Sequence, residues 1–216
     1  MLNYTYGTNG MPVPKGKEYL VNVWPTDLSI NDIERDTKYQ AYKEEVKRDI
    51  QKLRDKVDIL IVAMHWGVEY THTPTAYQQD EAKFLADQGV DIIIGTHPHV
   101  IQPVTWIDDT LVIYSLGNFI SAQYQDDNYN KMVGLMSSVE ITKTVKGDKK
   151  EISIDNVNNE LIFTYYNKAT WRDFKVIPFS NSEIKKYLPS YKNVYQRYKE
   201  IVQKYDQNIG VEEAAS

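Results

Sequence analysis

The sequence contains no cysteine. Disulfide bonds and thiolate metal sites are therefore excluded, although this composition fits the cytosol and the bacterial cell surface equally well. Long apolar runs are also missing, since none reaches the ~20 residues that span a bilayer. The first ten residues show neither the basic start nor the apolar stretch of a signal peptide. We therefore expect no transmembrane segment and no secretion signal in this chain.

An excess of positive charge is also lacking. The 216 residues include 25 Lys and Arg against 30 Asp and Glu, which gives a formal net charge of −5. Nucleic acid is thus not an expected partner. With 42% hydrophobic and 25% charged residues the composition is that of a globular protein, which excludes a disordered or coiled-coil chain. No repeat or low-complexity linker divides the sequence, so we expect a single domain over residues 1–216.

The first half shows the spacing of helices that alternate with buried strands. Residues 1–16 contain five Gly or Pro and predict a loop, and 18–24 predicts a short strand. Apolar residues of 39–57 recur at intervals of three and four, which predicts an amphipathic helix. The uninterrupted apolar run 58–64 follows, as expected of a parallel strand covered on both faces.

A second helix and a second buried strand come next. Thr73 and Pro74 provide an N-cap and a first helical turn, and Gly89 provides a C-terminal cap, which predicts a helix over 75–88. The apolar run 90–94 then ends before a loop that contains two histidines. Helices that alternate with strands build a parallel sheet, so we predict an α/β fold for this half.

The second half has the alternating pattern of antiparallel strands. A hairpin is predicted around Asp108 and Asp109, and a longer strand over 133–144. Turn signals at 146–148 and 158–159 predict two further strands, and helical spacing returns near the end of the chain. In chain order, the predicted elements are hairpin strands 101–107 and 111–115, strands 133–144, 151–157 and 160–166, and a helix around 194–205.

Three of the four histidines fall where the predicted parallel strands end. His65 follows one buried strand and His97 the next, and ligands bind outside the carboxyl ends of such strands. Pro98 favours an extended His97, so that His97 and His99 would project to the same side. Because imidazole is the commonest protein ligand for first-row metals, we predict a metal site formed by His65, His97 and His99. His72 lies among threonines, and we expect it to be exposed to solvent.

Other polar residues lie near this group in the sequence. Glu69 is a candidate metal ligand, general base or orienting partner of a histidine, and an ordinary surface glutamate is the alternative. His99 and Glu69 are our candidate catalytic residues. Trp66 and Asn118 are candidate substrate-binding residues, with core packing as the alternative for Trp66 and a turn-forming role for Asn118.

Three motifs carry a family resemblance. HWGVEY at 65–70, GTHPHV at 95–100 and YSLGNF at 114–119 resemble the CapA-type bacterial capsule synthesis proteins, which are associated with poly-γ-glutamate. NYTYGTNG at 3–10 resembles a further segment of that family. The resemblance covers about residues 3–121, and nothing after Ser121 is carried over.

That family is similar to the calcineurin-like metallophosphoesterases. The resemblance implies a layered β-sandwich flanked by helices, parallel in its first half and antiparallel in its second, with divalent metal ions of the Mn, Zn or Fe class at the strand ends. It implies that His65 matches an isolated metal-binding histidine and that His97 and His99 match a Gly-x-His-x-His motif. A capsule or poly-γ-glutamate biosynthesis protein with metal-dependent hydrolase activity at the cell surface is the function implied.

The sequence departs from the family in one respect. The first half of the family domain carries a Gly-Asp motif, a further carboxylate or amide ligand and an Asn-His pair, and residues 3–121 of this sequence contain none of them. We therefore expect this chain to be the carboxyl-terminal part of a larger capsule-synthesis domain, whose missing amino-terminal half would complete it, and to bind metal weakly without a useful phosphoesterase rate. Without that half an apolar face would be exposed, which favours a homodimer.

A non-catalytic role in the cell envelope is the alternative function. A module of this kind would bind or tether the anionic capsule polymer or its precursors, and in a chain of net charge −5 that would require a local basic patch. Four lysines cluster in one short stretch of the second half, and they are Lys143, Lys146, Lys149 and Lys150. A solvated hairpin tip is the other interpretation of this cluster.

Overall fold

The computed structural model describes residues 1–24, 37–123 and 129–216. The chain divides into two compact units, each made of more than one stretch of sequence. The first unit comprises Met1–Val68, Thr73–His97 and Trp106–Tyr114, and the second comprises Glu69–His72, Pro98–Thr105 and Ser115–Ser216.

The first unit is built on a five-stranded sheet with the strand order β1-β2-β3-β5-β4. Strands β1, β2, β3 and β5 run parallel to one another, and the two-residue connection between β4 and β5 makes the predicted hairpin. The α/β fold class, parallel in the first half, is confirmed. The strands are β1 (Leu2–Thr5), β2 (Ile61–His65), β3 (Ile92–Thr96), β4 (Val104–Ile107) and β5 (Thr110–Ile113).

Two helices accompany this sheet, as predicted. Helix α1 spans Thr37–Arg54 and buries Val46 and Ile50, whose spacing of four places them on one face. Helix α2 spans Ala76–Asp87, and its N-cap is Thr75 rather than the predicted Thr73. The Thr75 hydroxyl accepts from the backbone N–H of Gln78, and the side-chain oxygen of Gln78 accepts from the Thr75 N–H, so the two residues form a capping box.

The amino-terminal prediction is wrong in two places. Residues Leu2–Thr5 form strand β1 instead of a loop, because their parallel pairing with β2 supplies the hydrogen bonds that a four-residue segment cannot make within itself. Residues Glu18–Leu20 form a 3₁₀ helix instead of a strand, and from the predicted strand only Val23 bridges to Thr5.

The second unit contains the predicted antiparallel sheet. Its strands are ordered β6-β7-β8, and β9 pairs parallel with β7. The turn predicted at 158–159 is wrong, because β7 runs through it as one strand. Asn159 is fully buried there, where it accepts from the Ser137 hydroxyl and donates to the Gly210 carbonyl. The strands are β6 (Val133–Lys146), β7 (Lys149–Asn167), β8 (Arg172–Pro178) and β9 (Gly210–Val211).

Helices close the second unit. Helix α3 spans Ile184–Tyr187, and α4 spans Tyr191–Val202, which confirms the predicted carboxyl-terminal helix. Tyr195, Tyr198 and Val202 of α4 are buried in the core of this unit. In the described part of the chain, no helix is both long enough and apolar enough to cross a membrane.

Candidate metal centre

Two histidines of the first unit meet at the carboxyl ends of neighbouring parallel strands, as predicted. His65 is the last residue of β2 and pairs in register with Thr96, the last residue of β3, which His97 follows. The ring centroids of His65 and His97 lie 4.7 Å apart. We call these two residues the imidazole pair.

Tyr6 completes the surroundings of the imidazole pair and was not predicted. It follows β1, whose last residue pairs with His65, and its ring stacks on His65 at 5.6 Å and lies 4.4 Å from the ring of His97. The only signal for Tyr6 in the sequence was its place inside the motif at 3–10, because the segment around it was expected to be a loop.

A polar contact orients the ring of His65. Nδ1 of His65 lies 3.2 Å from the Thr96 hydroxyl oxygen, which lies 3.3 Å from the carbonyl oxygen of Met64. A partner on one ring nitrogen is typical of histidines that bind a metal through the other nitrogen.

The second unit brings Glu69, Tyr70, His99, Asn118 and Lys131 together, and we call these residues the His99 cluster. The Glu69 carboxylate lies 3.9 Å from Nε2 of His99, and the Tyr70 ring stacks on the His99 ring at 5.9 Å. Nδ1 of His99 donates to the side-chain oxygen of Asn118 at 2.9 Å. The Lys131 ammonium lies 3.9 Å from the Tyr70 ring centroid.

The loops that carry these residues have unusual backbone conformations. Tyr70, His97 and His99 have φ values of 63°, 97° and 59°, in the left-handed region that side chains rarely adopt. The extended conformation predicted for His97 is therefore wrong, since the chain reverses there instead of continuing the strand. Such backbone strain is concentrated at functional sites in proteins, because it persists only where the surrounding structure imposes it.

Electrostatics in the His99 cluster favour a neutral phenol. Partial desolvation, with a smaller contribution from the Glu69 carboxylate, raises the pKa of Tyr70. Tyr70 was not predicted, although it is the last residue of the motif at 65–70. Lys131 had no signal in the sequence, because it lies far along the chain from the other members.

Each unit supplies donor groups that suit a divalent metal. Glu69 and His99 of the second unit offer a carboxylate oxygen and an imidazole nitrogen, and His65 and His97 of the first unit offer two imidazoles. Carboxylate oxygens and imidazole nitrogens are ligands of Zn²⁺ and of iron. The donor chemistry of each group therefore fits a divalent metal.

The structure gives Trp66 and His72 packing roles. Trp66 is 1% exposed and donates from Nε1 to the Tyr114 carbonyl at 2.9 Å, which matches the core alternative considered for it. The solvent exposure expected for His72 is wrong. Its Nδ1 donates to the Ile101 carbonyl at 2.7 Å, its Nε2 is buried, and its ring packs against Tyr198, because the threonines around it in sequence are not its neighbours in space.

Comparisons with known proteins agree with the motifs. The bacterial capsule synthesis protein family PGA_cap matches residues 1–123. The chain is 42% identical over 74 residues to the PGA biosynthesis protein CapA of Bacillus subtilis (strain 168), which is 34% of this chain and 20% of that protein. It is 40% identical over 80 residues to the capsule biosynthesis protein CapA of Bacillus anthracis, which is 35% of this chain and 20% of that protein.

The chain thus matches about a fifth of the length of these relatives. Among solved structures it is similar to GAP50, the anchor in the inner membrane complex of Plasmodium, with 14% sequence identity and a TM-score of 0.31, over 83% of this chain and 52% of that one. The family match covers more than half of the 216 residues. The chain belongs to the bacterial capsule synthesis protein family PGA_cap.

Proposed function

We propose that this chain supplies the metal-binding part of a metal-dependent, phosphoesterase-like hydrolase that acts in capsule and poly-γ-glutamate biosynthesis in the bacterial cell envelope. The observation that carries the proposal is the position of the Glu69 carboxylate, 3.9 Å from Nε2 of a His99 whose other ring nitrogen is bonded to Asn118. Membership of the capsule family supports the cellular role. We propose a location on the outer face of the membrane on the same ground.

The candidate ligands are Glu69 and His99 in the second unit, and His65 and His97 in the first unit. A bound divalent metal would supply Lewis acidity and a water of lowered pKa. Glu69 is the residue we propose to move a proton at the reacting group, through a carboxylate oxygen, because the lone pair on Nε2 of His99 is used when His99 binds the ion. Asn118 keeps the proton of His99 on Nδ1, and Lys131 supplies positive charge beside Tyr70 for an anionic substrate.

The proposal is tested first by calorimetric titration of the chain with Zn²⁺. His97→Asn and His99→Asn are the appropriate variants, because asparagine tolerates the left-handed backbone of both positions. Each of them, and Glu69→Gln, is expected to weaken binding by roughly tenfold or more. Glu200→Gln, an exchange of the same kind on an exposed residue of α4, is the control and is expected to change nothing. Equal affinity of all variants would refute the proposed ligands.

The second test is hydrolysis of bis-p-nitrophenyl phosphate by the metal-loaded chain. The Gly-Asp and Asn-His motifs of the metallophosphoesterases are not found in residues 1–123, which match the family, so we expect metal binding without useful turnover. A competent rate that His99→Asn abolishes would show that Glu69 and the histidines suffice for catalysis, and would contradict this expectation.

A polymer-binding role is the second candidate function, and one observation favours it. Lys146 and Lys149 face each other across the β6–β7 turn, and Lys143 and Lys150 lie beside them, all four exposed. Charge reversal of Lys146 and Lys149 to glutamate would then release poly-γ-glutamate from the chain, whereas the same change at the exposed Lys56 and Lys192 would not. Unchanged retention in the first variant would remove this candidate.

A further inference from the structure

A cavity of the first unit lies outside the imidazole pair and the His99 cluster and shares no residue with them. Its volume is about 400 Å³, within the range of small-molecule sites. Valine side chains and Asn22 form part of its wall, and tyrosines and acidic residues form the rest. The tyrosines and acidic residues are Tyr4, Tyr19, Tyr42, Glu18, Glu45 and Asp49.

The charge of the cavity has one sign. Three carboxylates line it, and none of its described lining residues is a lysine, arginine or histidine. Glu18 accepts from the backbone N–H of Gly16, and backbone hydrogen bonds lower its pKa, so it is ionised at neutral pH. Asp49 uses one oxygen for the Tyr4 hydroxyl at 3.3 Å and the other for Lys52 at 3.0 Å. Within the described residues, Glu45 makes no side-chain hydrogen bond or ion pair, so its charge is available to a ligand.

The tyrosines of the cavity wall, like its carboxylates, suit a positively charged ligand. Burial raises the pKa of Tyr4, which keeps its phenol neutral beside Asp49. The faces of tyrosine rings attract ammonium ions, most strongly where water is partly excluded. Tyr19 already has an ammonium group beside it, because Lys17 donates to its hydroxyl at 3.3 Å.

We propose that this cavity binds an organic ammonium ion with an apolar body. The carboxylates would neutralise the ammonium group, the tyrosine rings would contact its polarised C–H and N–H groups, and the valines would cover the apolar part. An anion of the same shape would be repelled by Glu18 and Glu45. The site is independent of the metal centre and of the proposed hydrolase function.

Three probes of nearly the same shape test the proposal at pH 7. They are 2-phenylethylamine, which is a cation, 2-phenylethanol, which is neutral, and phenylacetate, which is an anion. In NMR titrations we expect the amine to saturate shifts of Tyr42 and its neighbours and to bind roughly tenfold more tightly than the alcohol, with no binding of the anion. Equal affinity for amine and alcohol, or no saturable binding of the amine below roughly 10 mM, would overturn the proposal.

A matched pair of variants locates the binding. Glu45→Gln removes a lining charge, and Glu44→Gln removes the neighbouring charge on α1, which does not line the cavity; both side chains are exposed, so both variants should fold. We expect Glu45→Gln to weaken amine binding by about three- to tenfold and Glu44→Gln to change it by less than about twofold. Equal losses in the two variants would show a general effect of net charge and would also overturn the site.

Discussion

Nδ1 of His99 lies 2.9 Å from the side-chain oxygen of Asn118. The side-chain nitrogen of Asn118 donates to the Lys131 carbonyl at 3.1 Å, which fixes the orientation of the amide and requires His99 to donate. The lone pair of His99 is therefore on Nε2, the nitrogen that faces Glu69. Asn118 was considered as a substrate-binding residue, and its contacts lead us to propose that it is a positioning residue for His99.

Asn118→Ala is expected to lower Zn²⁺ affinity by roughly tenfold, because His99 would lose the acceptor that holds its tautomer. Asn118→Asp keeps an acceptor oxygen and should retain most of the affinity. Calorimetry gives the affinities, and ¹⁵N–¹H spectra of the His99 ring report the tautomer, a signal that a purely structural role would not move. Asn193→Ala, on the exposed surface of α4, is the control. Unchanged affinity and tautomer in Asn118→Ala would contradict the positioning role.

Glu81 of α2 makes the stability of the first unit depend on pH. Its side chain is fully buried, and neither carboxylate oxygen has a hydrogen-bond partner among the described residues. Desolvation, with a smaller contribution from Asp80, raises its pKa well above the usual value, and Lys43 opposes this only in part. Because the folded pKa is higher than the unfolded one, stability is greatest below the unfolded pKa and falls as pH rises toward the folded pKa.

Glu81→Gln removes this titration. We expect the variant to be more stable than the parent at pH 8 and the difference to shrink as pH is lowered toward 4.5, the ordinary value for glutamate. Urea denaturation midpoints at a series of pH values measure it. Glu200→Gln on the exposed face of α4 should follow the parent at every pH. A gain in stability that does not vary with pH would show that the ionisation of Glu81 is not its cause.

Gly95 of β3 is required by close packing. A Cβ atom there would lie 1.9 Å from the Tyr114 carbonyl oxygen and 2.6 Å from Nε1 of Trp66, and would break the hydrogen bond between these two groups. Gly95→Ala should therefore lower the free energy of unfolding by about 3 kcal/mol, with a change in Trp66 fluorescence. Gly7→Ala, where a Cβ would meet nothing within 4 Å, is expected to have little effect. Similar stabilities of the two variants would contradict the packing at Gly95.

The capping box of α2 gives a simpler prediction. Thr75→Ala removes the hydroxyl that accepts from the Gln78 N–H and should cost about 1 kcal/mol of stability. Thr75→Ser keeps the hydroxyl and should lose only a small part of that amount. Thermal unfolding followed by circular dichroism compares the three proteins. A loss in Thr75→Ser equal to that in Thr75→Ala would indicate that packing of the methyl group, and not the cap, is responsible.

Local patterns in the sequence determined much of the fold. Helices α1, α2 and α4 and strands β2, β3 and β6 were predicted, because helical spacing and uninterrupted apolar runs reflect burial within one element. The place of His65 and His97 followed from the same patterns. Two parallel strands that are neighbours must end at the same edge of their sheet, so the residues after them meet there without further information.

Only the tertiary structure decided the rest. Strand β1 exists because β2 pairs with it, and β7 runs through Asn159 because Ser137 and Gly210 bond its side chain. The membership of Tyr6 and Lys131 in the two histidine groups, and the partial burial of His72, likewise depend on partners far along the chain. Hydrophobic periodicity records which face of an element is buried. The partners of a polar side chain are set by long-range contacts, which a local sequence pattern does not indicate.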